Sequence, residues 1–145
     1  MVRVAHLCLA VLAIGVTACS GEMDDVGAKG DNIVRATLVG ADQAQYGAVI
    51  LATGDDGLLM RINAEGLSEG QHGVHIHSIG KCEGPDFKSA GGHWNPEEKQ
   101  HGFDNPEGSH KGDFYNLDIG ADGKGSLEAT ITGVSLTGEG NALLD

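Results

Sequence analysis

Apolar positions along this chain come in short runs broken by glycine and polar clusters, and no stretch combines helical spacing with helix caps. "IVRATLV" (33–39) and "YGAVILAT" (46–53) carry the β-branched and apolar content of strands. "GDDG" (54–57) predicts a tight turn into "LLMRINA" (58–64), so the second and third strands form a hairpin. A fourth strand is expected over "QHGVHIHS" (71–78), and two more over "FYNLDI" (114–119) and "SLEATIT" (126–132). Between them, residues 79–113 lose strand character and turn to Gly, Pro, His and charge. The pattern predicts one all-β domain, a sandwich or barrel, over residues 33–145. A loop that long is foreign to a compact domain unless something besides apolar packing orders it.

The N-terminal residues belong to a different class. Arg3 followed by "VAHLCLAVLAIGV" reads as the charged and apolar parts of an export signal, too short to span a bilayer. "VTAC" (16–19) resembles a bacterial lipobox, which implies cleavage before Cys19 and lipid attachment to its thiol. An ordinary cleavable signal is the alternative. Residues 19–32 are polar and aperiodic, as a flexible tether would be. The expected location is the periplasm, with Cys19 anchored to the outer membrane and no other contact with lipid. Losing residues 1–18 removes Arg3 and no acid, taking the net charge from −12 to −13. So acidic a chain has no electrostatic basis for holding nucleic acid.

The histidines explain the loop. Of seven, six lie between residues 72 and 110. Strand alternation puts Val74 and Ile76 on one face and His75 and His77 on the other, with the two imidazoles about 7 Å apart along the strand. His93, His101, His110 and Asp113 follow as H-x7-H-x8-H-x2-D. Imidazole suits both copper and zinc. Metal binding would supply the order the loop lacks.

"GLSEGQHGVHIHSIGKC", "SAGGHWNP" and "HKGDFYNL" together resemble the bacterial copper–zinc superoxide dismutase family. The resemblance implies a Greek-key β-barrel or sandwich with a long metal-binding loop. It implies copper held by His75, His77 and His93, and zinc held by His93, His101, His110 and Asp113. His93 then bridges the metals and serves catalysis by delivering a proton. His72 matches a histidine supporting the copper strand, although from the residues alone a turn histidine fits equally well. The implied substrate is the superoxide anion, disproportionated to dioxygen and hydrogen peroxide.

The family's pattern continues past Asp145, with two last strands, a fourth copper histidine, an arginine beside the copper and a second cysteine. On this reading Cys82 pairs with a cysteine absent from the chain, and an open sheet edge leaves room for a homodimer. The chain by itself is then expected to show at most a trace of dismutase activity. The competing expectation is a non-catalytic exported lipoprotein that binds zinc and copper on the same scaffold. Lys81, Lys88, Lys99 and Lys111 fall in the loop without an assigned role.

Overall fold

The structure is a computed structural model and describes residues 33–138 and 140–144. The expected signal, Cys19 and the tether lie outside the described residues. Among the described residues six strands run in the order β1 (Ile33–Val39), β2 (Gln45–Gly54), β3 (Gly57–Ala64), β4 (Gly70–His72), β5 (Leu117–Ile119) and β6 (Gly125–Thr132). They form two antiparallel sheets, β1-β2-β3-β6 and β4-β5. β3 pairs with β6 although β4 and β5 intervene in sequence, the kind of non-local return that a Greek key makes. The fold is the expected all-β sandwich. Its only described helical element is a 3-10 turn at Lys88–Ala90, and no described helix is long and apolar enough to cross a membrane.

Alternation builds the core. Leu51 on β2, Leu58, Met60 and Ile62 on β3, and Ile131 on β6 point inward, where they meet Leu117 and Ile119 of the second sheet. Leu58 is fully buried and Leu51 and Leu117 are 1% exposed, so each contributes close to the full transfer energy of its side chain, about 1.5–3 kcal/mol. The hairpin closes as expected, with Gly54 paired to Gly57 across Asp55 and Asp56. Gly57 adopts φ 141° there, and a Cβ would collide with the Ile131 carbonyl on β6.

Two expected strands are shorter than the sequence pattern suggests. The ladder over 71–78 ends at His72, and the one over 114–119 begins only at Leu117. The reason is the partner. After His72 the chain pairs with the long loop instead of a neighbouring strand, through isolated bridges His75↔Asp113 and His77↔His93. Val74 and Ile76 nevertheless face the core at 4% exposure each, so the alternation survives the loss of a regular ladder.

Candidate metal centre

The loop is tied to residues 74–78 by backbone bonds before any side chain acts. Ile76 N–H donates to the Gly112 carbonyl at 2.9 Å, Trp94 N–H to the Ile76 carbonyl at 2.8 Å, and Ser78 N–H to the Gly92 carbonyl at 2.9 Å. Gly112 N–H closes the set by donating to the Trp94 carbonyl at 2.9 Å. Gly112 is needed for this approach, since a Cβ there would run into the Ile76 carbonyl. These bonds lay two loop segments beside one strand-like segment. They bring His75 opposite Asp113 and His77 opposite His93.

Asp113 is the hub. Its side chain is 2% exposed, and Oδ1 lies 2.8 Å from Nδ1 of His93, 3.1 Å from Nδ1 of His101 and 3.4 Å from Nδ1 of His75. Oδ2 accepts the backbone N–H of Gly102 at 3.1 Å and of His110 at 3.2 Å, with Nδ1 of His110 at 3.5 Å. Burial alone would raise its pKa, but the Gly102 N–H, the His93 bond and the neighbouring imidazoles outweigh it and hold the carboxyl down to about 2. An ionised carboxylate only accepts, so His93 and His101 each donate from Nδ1.

His93 is the ring that touches all the others. It stacks on His75 with centroids 3.9 Å apart and meets His77 edge-on at 5.3 Å. It also meets His101 at 5.0 Å and His110 at 5.6 Å. Burial lowers its pKa, against the pull of Asp113, and burial together with the charge of His93 lowers His75 to about 4. Both rings are therefore neutral at neutral pH beside an anionic carboxylate, the protonation states that metal ligands require.

The expected copper and zinc sets both gather here, in a different grouping. Donor atoms of His75, His93, His101 and Asp113 lie within 4.8 Å of one another, so His75 joins this compact group, and His110 stands at its edge. The ionised Asp113 draws imidazoles of both sets toward itself. His77 donates from Nδ1 to the Gly91 carbonyl at 3.0 Å, which leaves its Nε2 as the free ring nitrogen. His72 is apart from the cluster in its bonding: buried at the end of β4, it donates from Nε2 to the Ser68 carbonyl at 2.7 Å. Cys82 is disulfide-bonded. Sequence reasoning missed the backbone groups of Gly102 and His110 that hold Asp113, because no residue type signals a main-chain donor.

A model of the copper/zinc superoxide dismutase family (SODC) matches residues 27–145. The chain belongs to this family. It is 54% identical over 71 residues to the superoxide dismutase-like protein YojM of Bacillus subtilis, covering 48% of this chain and 36% of that protein. It is 40% identical over 97 residues to superoxide dismutase [Cu-Zn] 1 of Aquifex aeolicus, covering 66% of this chain and 56% of the relative. A crystal structure of a SOD-like protein from Bacillus subtilis superposes with a TM-score of 0.71 at 39% identity, covering 77% of this chain and 76% of that one. The chain spans about one third to two thirds of the length of the curated relatives it matches.

Copper and zinc are the metals of the copper/zinc superoxide dismutase family, and the residues here fit them. The donor set is imidazole and carboxylate, which both metals accept. Nδ1 of His75 and of His110 are buried without a hydrogen-bond partner, yet both face the Asp113 carboxylate. Buried polar atoms left so are uncommon and call for a ligand. A metal ion at the cluster would satisfy them.

Proposed function

We propose that this domain carries the metal centre of a superoxide dismutase, which disproportionates superoxide to dioxygen and hydrogen peroxide. One observation supports this reading above the others: His93 is the single ring in contact with all four of His75, His77, His101 and His110. A bridging ligand must occupy that place. His75, His77 and His93 would hold copper, and His93, His101, His110 and Asp113 would hold zinc. Copper, when bound, supplies the one-electron couple that oxidises one superoxide and reduces the next.

The chain's own residues supply orientation and proton handling. Asp113 orients the His93 ring through Nδ1 before metal enters, and once His93 gives one ring nitrogen to zinc the other would hold and release the proton that peroxide formation consumes. The Gly91 carbonyl fixes His77 in the same way and leaves its Nε2 for the metal. His101, 60% exposed, is the ligand nearest solvent, whereas Asp113 is sealed beneath the rings.

A second reading is a non-catalytic copper- and zinc-binding protein on the same scaffold, favoured by the likeness to a protein named only dismutase-like. Superoxide decay, measured on the full-length protein loaded with both metals and freed of loose copper, separates the two. The first reading expects fast decay that His93→Ala removes. Full metal content with decay no faster than buffer would reject it in favour of the second. "VTAC" supports export and lipid anchoring at Cys19 in the periplasm, and Cys19→Ser should release the protein from the membrane fraction. Mass spectrometry finding an unlipidated mature N-terminus would end that part of the reading.

A further inference from the structure

Lys111 sits between two ligand candidates, His110 and Asp113, but points away from them. Its Nζ lies 3.0 Å from Oε1 of Glu97 and donates to the Thr132 carbonyl at 3.2 Å. Thr132 is the last residue of β6. Asn141 adds a donor to the same Glu97 oxygen at 3.5 Å. One ammonium group therefore joins the start of a loop segment, its end, and the large sheet.

We propose that Glu97 and Lys111 form a latch that closes the loop carrying His101 and His110 and so positions both imidazoles for zinc. The inference rests on the zinc assignment given above. Residues 97 and 111 bracket His101, Gly102 and His110, and Asp113 follows directly. The two backbone donors that reach Oδ2 of Asp113, from Gly102 and His110, also lie within the bracketed segment. Closing such a segment costs chain entropy that metal binding would otherwise have to offset. An ion pair at its base meets part of that cost in advance. The bond to Thr132 fixes where the closed segment sits, because β6 is a full-length partner of β3. Lys111 touches no ligand nitrogen, so it is a positioning residue. His75 and His77 lie outside the bracket, beside the backbone bonds of Ile76 to Trp94 and of Ser78 to Gly92, so the latch acts on zinc and leaves copper alone.

The test measures zinc and copper dissociation constants by chelator competition on the full-length, metal-free protein. The Lys111 and Glu97 side chains are 23% and 39% exposed, so solvent screens the pair and the effect is moderate. Lys111→Met and Glu97→Gln should each weaken zinc by about three- to ten-fold, and the double variant by little more than the stronger single one. Lys111→Arg, which keeps both the charge and a donor, should recover most of the loss. Copper affinity and the thermal midpoint of the metal-free protein should stay unchanged. Parental zinc affinity in Lys111→Met would overturn the latch, as would an equal loss of copper or a zinc loss matched by a lower metal-free midpoint. Should Lys111→Met fail to fold, Glu97→Gln decides alone, because it leaves the bond to Thr132 in place. A parent protein that takes up no zinc overturns the zinc assignment and the latch together.

Discussion

His93 and Asp113 hold each other at 2.8 Å, Nδ1 to Oδ1, the shortest of the contacts gathered around the Asp113 carboxylate. The pair joins residues 20 apart in sequence and sets both partners at once. Asp113 gains a donor that helps keep it ionised, and His93 gains a fixed tautomer and ring plane. Every other imidazole in the cluster is arranged around this contact.

Asp113→Ala should consequently strip zinc first. It deletes a ligand candidate and also the acceptor for Gly102 N–H, His110 N–H and two imidazoles. Zinc affinity is expected to fall by more than ~100-fold, beyond what losing a supporting partner alone costs. Copper, drawing on His75, His77 and His93, should fall far less. Metal content after dialysis distinguishes the two, and an equal loss of both would contradict the assignment of Asp113 to zinc.

The metal-free protein should grow less stable between neutral and mildly acidic pH. Burial lowers the His75 pKa to about 4, against an ordinary value of 6.5. In that interval the unfolded chain binds a proton at this position and the folded one does not, so stability falls as pH drops from 6.5 through 4. Asp113, held at about 2, contributes stability that is present above its ordinary 3.8 and lost as pH falls through 2. NMR titration of the imidazoles under chelator provides the check. A His75 resonance that titrates near 6.5 would remove the basis for the first claim.

Leu58→Ala tests the sandwich itself. Leu58 is fully buried at the start of β3, and truncation should cost about 2–5 kcal/mol of unfolding free energy in the metal-free protein. A loss below ~1 kcal/mol in denaturant unfolding would mean that this position is not packed as described.

How much of this was legible beforehand differs between strands and loop. β1, the β2–β3 hairpin and β6 follow from local alternation and turn residues, because each pairs along its full length with another strand. Val74 and Ile76 were assignable to the core from local alternation alone, and the imidazole cluster followed from spacing together with a family resemblance. The early end of β4 was not legible. What replaces the ladder is a loop segment more than thirty residues away in sequence, from His75 to Asp113, and periodicity carries no record of such a partner. Nor does composition mark the Gly102 and His110 amides on Asp113, or the Lys111 ammonium on Glu97 and Thr132. Main-chain donors and long-range ion pairs are set by the fold.

Gly112 tests whether the cluster is assembled by backbone approach or by its side chains. It lies against residues 74–78, accepting from Ile76 N–H and donating to the Trp94 carbonyl, and a Cβ would run into the Ile76 carbonyl. Gly112→Ala keeps every ligand candidate and changes no charge. If backbone approach comes first, the added methyl pushes the Asp113 segment off His75 and strains the neighbouring His93 segment through Trp94. Zinc and copper should then both weaken, in contrast to Asp113→Ala, where zinc falls far more than copper. The change is steric, so Gly112→Ser should behave as Gly112→Ala does, and neither should be rescued by raising the pH. Parallel metal titrations on the two alleles provide the reading. Parental affinity for both metals in Gly112→Ala would mean that the ligands can gather without this backbone contact, and that side-chain attraction to Asp113 assembles the site unaided.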